Sequence, residues 1–317
     1  MSAPALKVLF MGTPQFAVPT LDALLASRHA VVGVVTQPDK PRGRGQKETE
    51  GAVKARARAA GVPVLQPVTL KDEGVRDSLR ALGADIGVVA AYGKILSQAV
   101  LDIPRLGMIN VHASLLPRWR GAAPVHRAVI AGDAETGVTI MRVVKALDAG
   151  AMLATVRRPI GVDDTSDEVE RDLAVLGAAA LVATLDRMAE GPVEEVPQDE
   201  RLVTYANRLT KDDGVIDWTM SAEAIHNQIR GLYPWPHAFS WLDGQRLILW
   251  RSTWSADPSG AEPGTVLAAH GDDLIVATGA GTLHITELQA EGRRATRTRE
   301  FLAGRRIAPG TRFASQP

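Results

Sequence analysis

The chain has 317 residues, 45% hydrophobic and 23% charged, with 36 basic and 36 acidic side chains and no cysteine. That length suits two domains and that composition suits a packed globular protein, not a disordered one. The missing cysteines exclude disulfide scaffolds, thiolate metal sites and cysteine nucleophiles, and a formal charge of zero leaves no bulk electrostatic case for nucleic acid.

In chain order, "ALKVLFMG" opens the sequence and is too short and poorly flanked for a signal peptide. No run approaches the roughly 18 to 20 apolar residues of a membrane span, so the expected location is the cytoplasm. The first half alternates strand-like runs ("LKVLF", "VVGVVT", "DIGVVAA", "GMINVH", "GVTIMR") with helical stretches such as "TLDALLAS" and "GVRDSLRALG". Strands that alternate with helices imply βαβ units and a mostly parallel sheet, apolar throughout because both of its faces are covered. A helix is expected from about Thr165 to Ala189, with Leu173, Leu176, Leu181, Leu185 and Met188 at helical spacing.

Residues 191–207, with Pro192, Pro197 and a cluster of acids, interrupt any period and form the expected linker between domains at 1–190 and 208–317. Beyond it lie a helix near Ser221 to Gly231 and the short runs "HAFSWL", "RLILW", "GTVLAA", "DLIVAT" and "TLHITEL". Closely spaced strands parted by Gly and Asp turns predict a small antiparallel barrel.

Several segments carry candidate chemistry. "VLFMGTPQFAVP" places Gly12 after the first strand, as in dinucleotide-binding turns, but lacks the second and third glycines of that fingerprint, which favours a tight structural turn. "TQPDKPRGRGQK" reads as a loop because Pro38, Pro41, Gly43 and Gly45 oppose regular structure. It carries Lys40, Arg42, Arg44 and Lys47 on the side of the sheet where ligands bind, suited to phosphate contact, although a solvated loop would look the same.

"NVHASLLP" is the sharpest feature. An asparagine amide can donate to a developing oxyanion, and a histidine two residues further along a strand shares its face and suits proton transfer. A core histidine satisfied by backbone is the plain alternative for His112, weakened by Asn110 beside it. Asp148, in the Gly-bounded "VVKALDAGAM", is placed to orient His112 if the fold brings them together, and is otherwise a turn aspartate. The tail "EGRRATRTREFLAGRR" sets Arg293, Arg294, Arg297, Arg299, Arg305 and Arg306 against Glu291 and Glu300, a basic face on a barrel of a kind that often binds nucleic acid. The other histidines are scattered singly, which predicts no metal site.

Taken together, "GTPQFAVPTLDALL", "TQPDKPRGRG", "VVAAYGKIL", "INVHASLLPRWRGAAPVHRA", "LDAGAM", "TYANRLTKDDGVIDW" and "YPWP" occur in the order found in methionyl-tRNA formyltransferases, which the chain resembles nearly end to end. The resemblance implies a Rossmann-like N-terminal α/β domain and an OB-like C-terminal β-barrel. It also implies transfer of formyl from 10-formyltetrahydrofolate to methionyl initiator tRNA by a metal-free monomer with no membrane partner. Asn110, His112 and Asp148 fall on the family's catalytic positions. Ser114, Leu115, Leu116 and Pro117 match its folate-binding element, and Arg44 matches the arginine of its tRNA loop, with Lys40, Arg42, Lys47, Arg293 and Arg294 as further tRNA contacts. Two departures stand out: Glu48 and Glu50 follow the loop, and Ala151 replaces an acid after Gly150.

The nearest alternative is a formyltransferase acting on a sugar amine or glycinamide ribonucleotide, which would not need both basic segments. A binding module without catalysis is argued against by the presence of all three catalytic-type residues. A dehydrogenase rests on fold analogy alone.

Overall fold

The computed structural model describes residues 4–42 and 47–316. Its contacts form two compact units: Met1–Gly121, Thr136–Arg158 and Glu170–Tyr205 in the first, and Ala122–Glu135, Pro159–Val169 and Ala206–Pro317 in the second.

The first unit is built on a seven-stranded sheet. Across it lie Met152–Pro159, Glu135–Arg142, Met108–His112, Ile86–Ala90, Lys7–Gly12, Ala30–Val35 and Val64–Leu65. Pairing is parallel from Val64–Leu65 through to Met108–His112, and Glu135–Arg142 runs antiparallel to Met108–His112. The expected mostly parallel sheet is present, and its first strand shows why the run is apolar: Val8, Leu9, Phe10 and Met11 are all fully buried.

The chain passes from Lys7–Gly12 to Ala30–Val35 on one side and later to Ile86–Ala90 on the other. Such a reversal opens a crevice at the carboxyl ends of the strands, the usual ligand position in open α/β sheets. Helix Ser166–Glu190 starts with a reciprocal cap, in which the Thr165 amide and hydroxyl bond Glu168 Oε2 at 2.9 and 2.6 Å. Leu173, Leu181 and Leu185 are buried on it. A Cβ at Gly177 would stand 2.7 Å from Val111 and 3.1 Å from Val138, so the glycine permits a close approach of helix to sheet.

The segment expected to be a loop after Ala30–Val35 is a short hairpin, with Lys40–Arg42 antiparallel to Lys47–Thr49. Pro41 is tolerated opposite Glu48 because a two-stranded ribbon leaves each strand an open edge, where a missing N–H costs no ladder bond.

The second unit holds a curled antiparallel sheet in the order Val266–His270, Asp273–Ala277, Thr282–Ala290, Gln245–Ser255, Ala238–Leu242 and Phe313–Ala314. Its two ends are joined near the C-terminus. Gly310 N donates to Val266 O, Val266 N to Thr311 O and Phe313 N to Gly264 O, each at 2.8 Å, while Phe313 also pairs with Leu242. Joining the ends removes exposed strand edges. Helix Ala222–Gly231 is capped by Ser221, whose hydroxyl accepts from Ala224 N, and it buries Ile225 and Ile229 in a core with Trp218, Leu249, Leu274, Ile285 and Phe313. Among the described residues no helix is long and apolar enough to cross a membrane.

Buried histidines give stability a defined pH dependence. His29 Nδ1 accepts from Leu6 N at 3.2 Å, so Nε2 carries the proton, 3.3 Å from Asp186 Oδ1. Burial is the main influence on this ring and lowers its pKa below the ordinary 6.5, outweighing Asp186, which raises it. Burial lowers His126 and His237 likewise. The unfolded chain therefore binds protons more readily, and this contribution is complete above about pH 6.5 and lost as pH falls through the folded values. The melting temperature should fall between about pH 7.5 and 5.5. His29→Gln should make that fall shallower, and an unchanged slope would contradict the assignment.

Candidate active site

The Met108–His112 strand ends at the crevice, and its period of two puts Asn110 and His112 on one face. Asn110 is half-buried and His112 is 5% exposed. His112 Nε2 lies 3.0 Å from the Trp119 carbonyl oxygen. A carbonyl only accepts, so Nε2 carries the proton and Nδ1 is the basic nitrogen. Nδ1 faces Asp148 Oδ2 at 3.8 Å.

Asp148 arrives by way of the loop after strand Glu135–Arg142. Arg142 N donates to Ala151 O at 2.9 Å, so the loop returns to where it left the sheet. A Cβ at Gly150 would stand 1.9 Å from the Arg142 carbonyl oxygen, so no other residue fits there. Asp148 adopts a left-handed backbone with φ 45°, a conformation that costs a non-glycine residue on the order of 1–3 kcal/mol and needs support. Gly121 N supplies part of it by donating to Asp148 Oδ2 at 2.8 Å.

Further support comes from residues that local sequence patterns do not mark. Gln198 Nε2 donates to the carbonyls of both Asp148 and Gly150, each at 2.8 Å. Its Oε1 accepts from Arg120 Nε at 3.0 Å, and Arg120, only 3% exposed, also bonds both oxygens of Glu200, at 2.8 and 3.3 Å. Thr204 accepts from Trp119 N through its hydroxyl and from Arg120 N through its carbonyl, both at 2.9 Å. In "PRWRG" the two arginines look alike, yet Arg118 is exposed and Arg120 buried.

Ser114 to Pro117 form a compact turn beside the strand end. The buried Ser114 hydroxyl donates to Arg118 O at 2.7 Å, and Thr139 Oγ1 donates to Ser114 O at 2.8 Å while accepting from Leu116 N at 3.2 Å. Leu116 is buried; Leu115 and Pro117 are half-buried. Elsewhere in the crevice the loops are tied together: Gln37 Nε2 donates to Tyr92 O at 2.8 Å, and the Thr13 hydroxyl donates to the same oxygen at 3.3 Å. A Cβ at Gly12 would press on Phe10, Ala17 and the Ala90 carbonyl at 2.8–2.9 Å, so this glycine serves a tight structural turn. Ile95 and Leu147, in the loops after Ile86–Ala90 and Glu135–Arg142, are 91% and 61% exposed.

Of the basic residues singled out, Lys40, Arg42 and Lys47 lie on the two strands of the hairpin, and Arg44 falls outside the described residues. Arg293 and Arg294 are exposed in the turn after Thr282–Ala290, where the Arg293 carbonyl accepts from Gln289 Nε2. Together with Arg305 and Phe301 they line an open cleft of about 620 Å³. Arg305 bonds Asp243 and Gln245, and Arg299 pairs with Asp272, so part of the tail's charge is used within the unit. Among the described residues no group of three or more His, Cys, Asp or Glu side chains is arranged to hold a metal ion.

Comparison with known proteins places this chain in a family. The formyl transferase profile matches residues 6–185, and the formyl transferase C-terminal domain profile matches residues 208–306. HypX from Aquifex aeolicus, solved in complex with tetrahydrofolic acid, is similar over 94% of this chain and 47% of its own, with 15% identity and a TM-score of 0.64. This chain thus spans about half the length of that relative. An N-formyltransferase from Helicobacter canadensis, in complex with folinic acid and dTDP-3-aminofucose, matches over 88% of this chain and 99% of its own, with 16% identity and a TM-score of 0.67. Glycinamide ribonucleotide transformylase 1 from Symbiobacterium toebii matches over 62% and 95%, with 21% identity and a TM-score of 0.51. At these identities the structures speak to fold alone.

Because the Arg142 carbonyl occupies the place a Gly150 side chain would take, Gly150→Ala should destabilise the first unit by at least about 1–3 kcal/mol in urea unfolding. Gly191→Ala, with nothing within 4 Å of its Cβ position, should stay within about 0.5 kcal/mol and serves as the control.

Proposed function

We propose that this chain, which belongs to the formyl transferase family, transfers the formyl group of 10-formyltetrahydrofolate to the α-amine of methionine on initiator tRNA. The observation that carries the transfer chemistry is the approach of Asp148 to His112, 3.8 Å from Oδ2 to Nδ1, with Asn110 on the same face of the Met108–His112 strand. The amine lone pair attacks the formyl carbon, a C–N bond forms, and the carbonyl electrons move to oxygen. Asn110, on the same strand face as His112, carries the amide that donates to that oxyanion in this reading, the kind of contact worth about 10²–10³ in rate.

Collapse then breaks the bond from the formyl carbon to N10 of the donor. The amine gives up a proton and N10 takes one. His112, with Nε2 directed by Trp119, offers Nδ1, which faces the Asp148 carboxylate, as the nitrogen that holds a proton between these events. The crevice suits a folate: Ile95, in the loop after the carboxyl end of Ile86–Ala90, exposes apolar surface of the kind a flat pteridine would cover. The Ser114–Pro117 turn shapes the same end of the strand. The Ser114 hydroxyl donates to Arg118 O, so what it offers a ligand is an acceptor and not a donor.

The tRNA acceptor is supported by the hairpin that bears Lys40, Arg42 and Lys47 and by the exposed Arg293–Arg294 turn, since paired basic segments suit phosphate contact. A sugar amine is the second reading, favoured by the near-complete overlap with the Helicobacter canadensis enzyme. Incubation with 10-formyltetrahydrofolate and methionyl initiator tRNA, methionyl elongator tRNA or an amino-sugar nucleotide separates the two. Formylation of the initiator species alone is the expected result; formylation of the sugar alone would overturn the acceptor assignment and keep the chemistry.

Asn110→Ala, His112→Ala and Asp148→Ala should each lower turnover by about a hundredfold or more while leaving both substrate dissociation constants within a few-fold. Loss of affinity in step with rate would contradict their assignment to the transfer step. Changing Arg293 and Arg294 together to Ala should weaken tRNA binding and reduce the slope of log K against log salt by roughly 1.5. A slope equal to that of the unmodified protein would remove this turn from the interface.

A further inference from the structure

We infer that Gln198 is a positioning residue for formyl transfer, holding the Asp148 carboxylate against His112; the inference rests on the reading that this pair manages the protons of the reaction. Asp148 sits in a left-handed backbone conformation, in a loop whose two ends meet at Arg142 and Ala151. The carbonyls of Asp148 and Gly150 flank the peptide units that set where the carboxylate points. Gln198 is the side chain that bonds both, using the two N–H groups of one amide at 2.8 Å each.

The orientation of that amide is determined by its other neighbour. Arg120 has donors only, so the Gln198 oxygen must face it and the nitrogen must face the loop. Arg120 is buried and is in turn held by both oxygens of Glu200. The groups that face Asp148 are then accounted for: Gly121 N on Oδ2, His112 beyond it, and Gln198 on the backbone behind. No other residue type makes the same contacts. Glutamate would set an oxygen against two carbonyl oxygens, and asparagine is one methylene too short to span them.

Supporting residues of this kind typically change activity by about 10- to 100-fold when replaced. Gln198→Met, which keeps the volume and loses the donors, should lower kcat by about that factor with KM for donor and acceptor unchanged, and Gln198→Asn should not restore it. The decisive comparison is in an Asp148→Asn background. A residue that acts only through the Asp148 carboxylate has no further effect there, whereas a merely structural one lowers kcat by the same factor in both backgrounds.

A second readout needs no substrate. In protein labelled with ¹⁵N at histidine, Gln198→Met should move the His112 Nδ1 resonance in the direction that Asp148→Asn moves it. A lower melting temperature with unmoved His112 resonances, or equal losses in the two backgrounds, would overturn the proposal. If no amine is formylated, the resonance shift still decides the role of Gln198, and the failure belongs to the proposed reaction.

Discussion

The approach of Asp148 to His112 depends on a loop that leaves the sheet at Arg142 and comes back to the same point at Ala151. The return is possible because Gly150 has no side chain to meet the Arg142 carbonyl, and because Asp148 accepts a left-handed backbone. Asp is among the few residues that tolerate this conformation at modest cost, its short polar side chain bonding locally. Here the side chain bonds Gly121 N and the backbone bonds Gln198. A strained segment persists only when its surroundings over-determine it, and these contacts supply that excess.

The same geometry orients the histidine. Trp119 O fixes which nitrogen carries the proton, and Trp119 is itself held by Thr204, so the ring direction is set by backbone reached from a distant segment. The buried Arg120 would be costly alone, since an unpaired buried charge loses its hydration; with Glu200 and Gln198 it becomes a brace. The parallel sheet beneath provides a rigid base, with Val8 to Met11 fully buried, and its reversal of strand order opens the crevice where Thr13, Gln37 and Tyr92 are tied together.

Formyl transfer to a tRNA-borne amine and to a sugar amine make the same demands at the formyl carbon. In the proposed reaction the difference between the acceptors therefore falls to segments away from Asn110, His112 and Asp148. In the first unit the basic hairpin follows strand Ala30–Val35; in the second, Arg293 and Arg294 are exposed in the turn after Thr282–Ala290. Such exposed cations lose little hydration until a phosphate replaces it, which suits the positioning contacts of the proposed tRNA acceptor.

Much of this is local and therefore legible in the amino-acid sequence. Alternating apolar runs announce the mostly parallel sheet, helical spacing announces Ser166–Glu190, and the interval between Asn110 and His112 places both on one strand face. The short strands after residue 208 announce the antiparallel second sheet. The hairpin is where a local rule meets a tertiary exception, Pro41 being tolerated because the ribbon has an open edge. The contact of Asp148 with His112, the burial of Arg120 but not Arg118, and the grip of Gln198 on a loop 50 residues earlier in the chain were decided only by the tertiary structure. Periodicity reports which face of an element is apolar, whereas side-chain meetings across distant segments depend on loop paths set by single close contacts such as that of Gly150 with Arg142, and those leave no period to read.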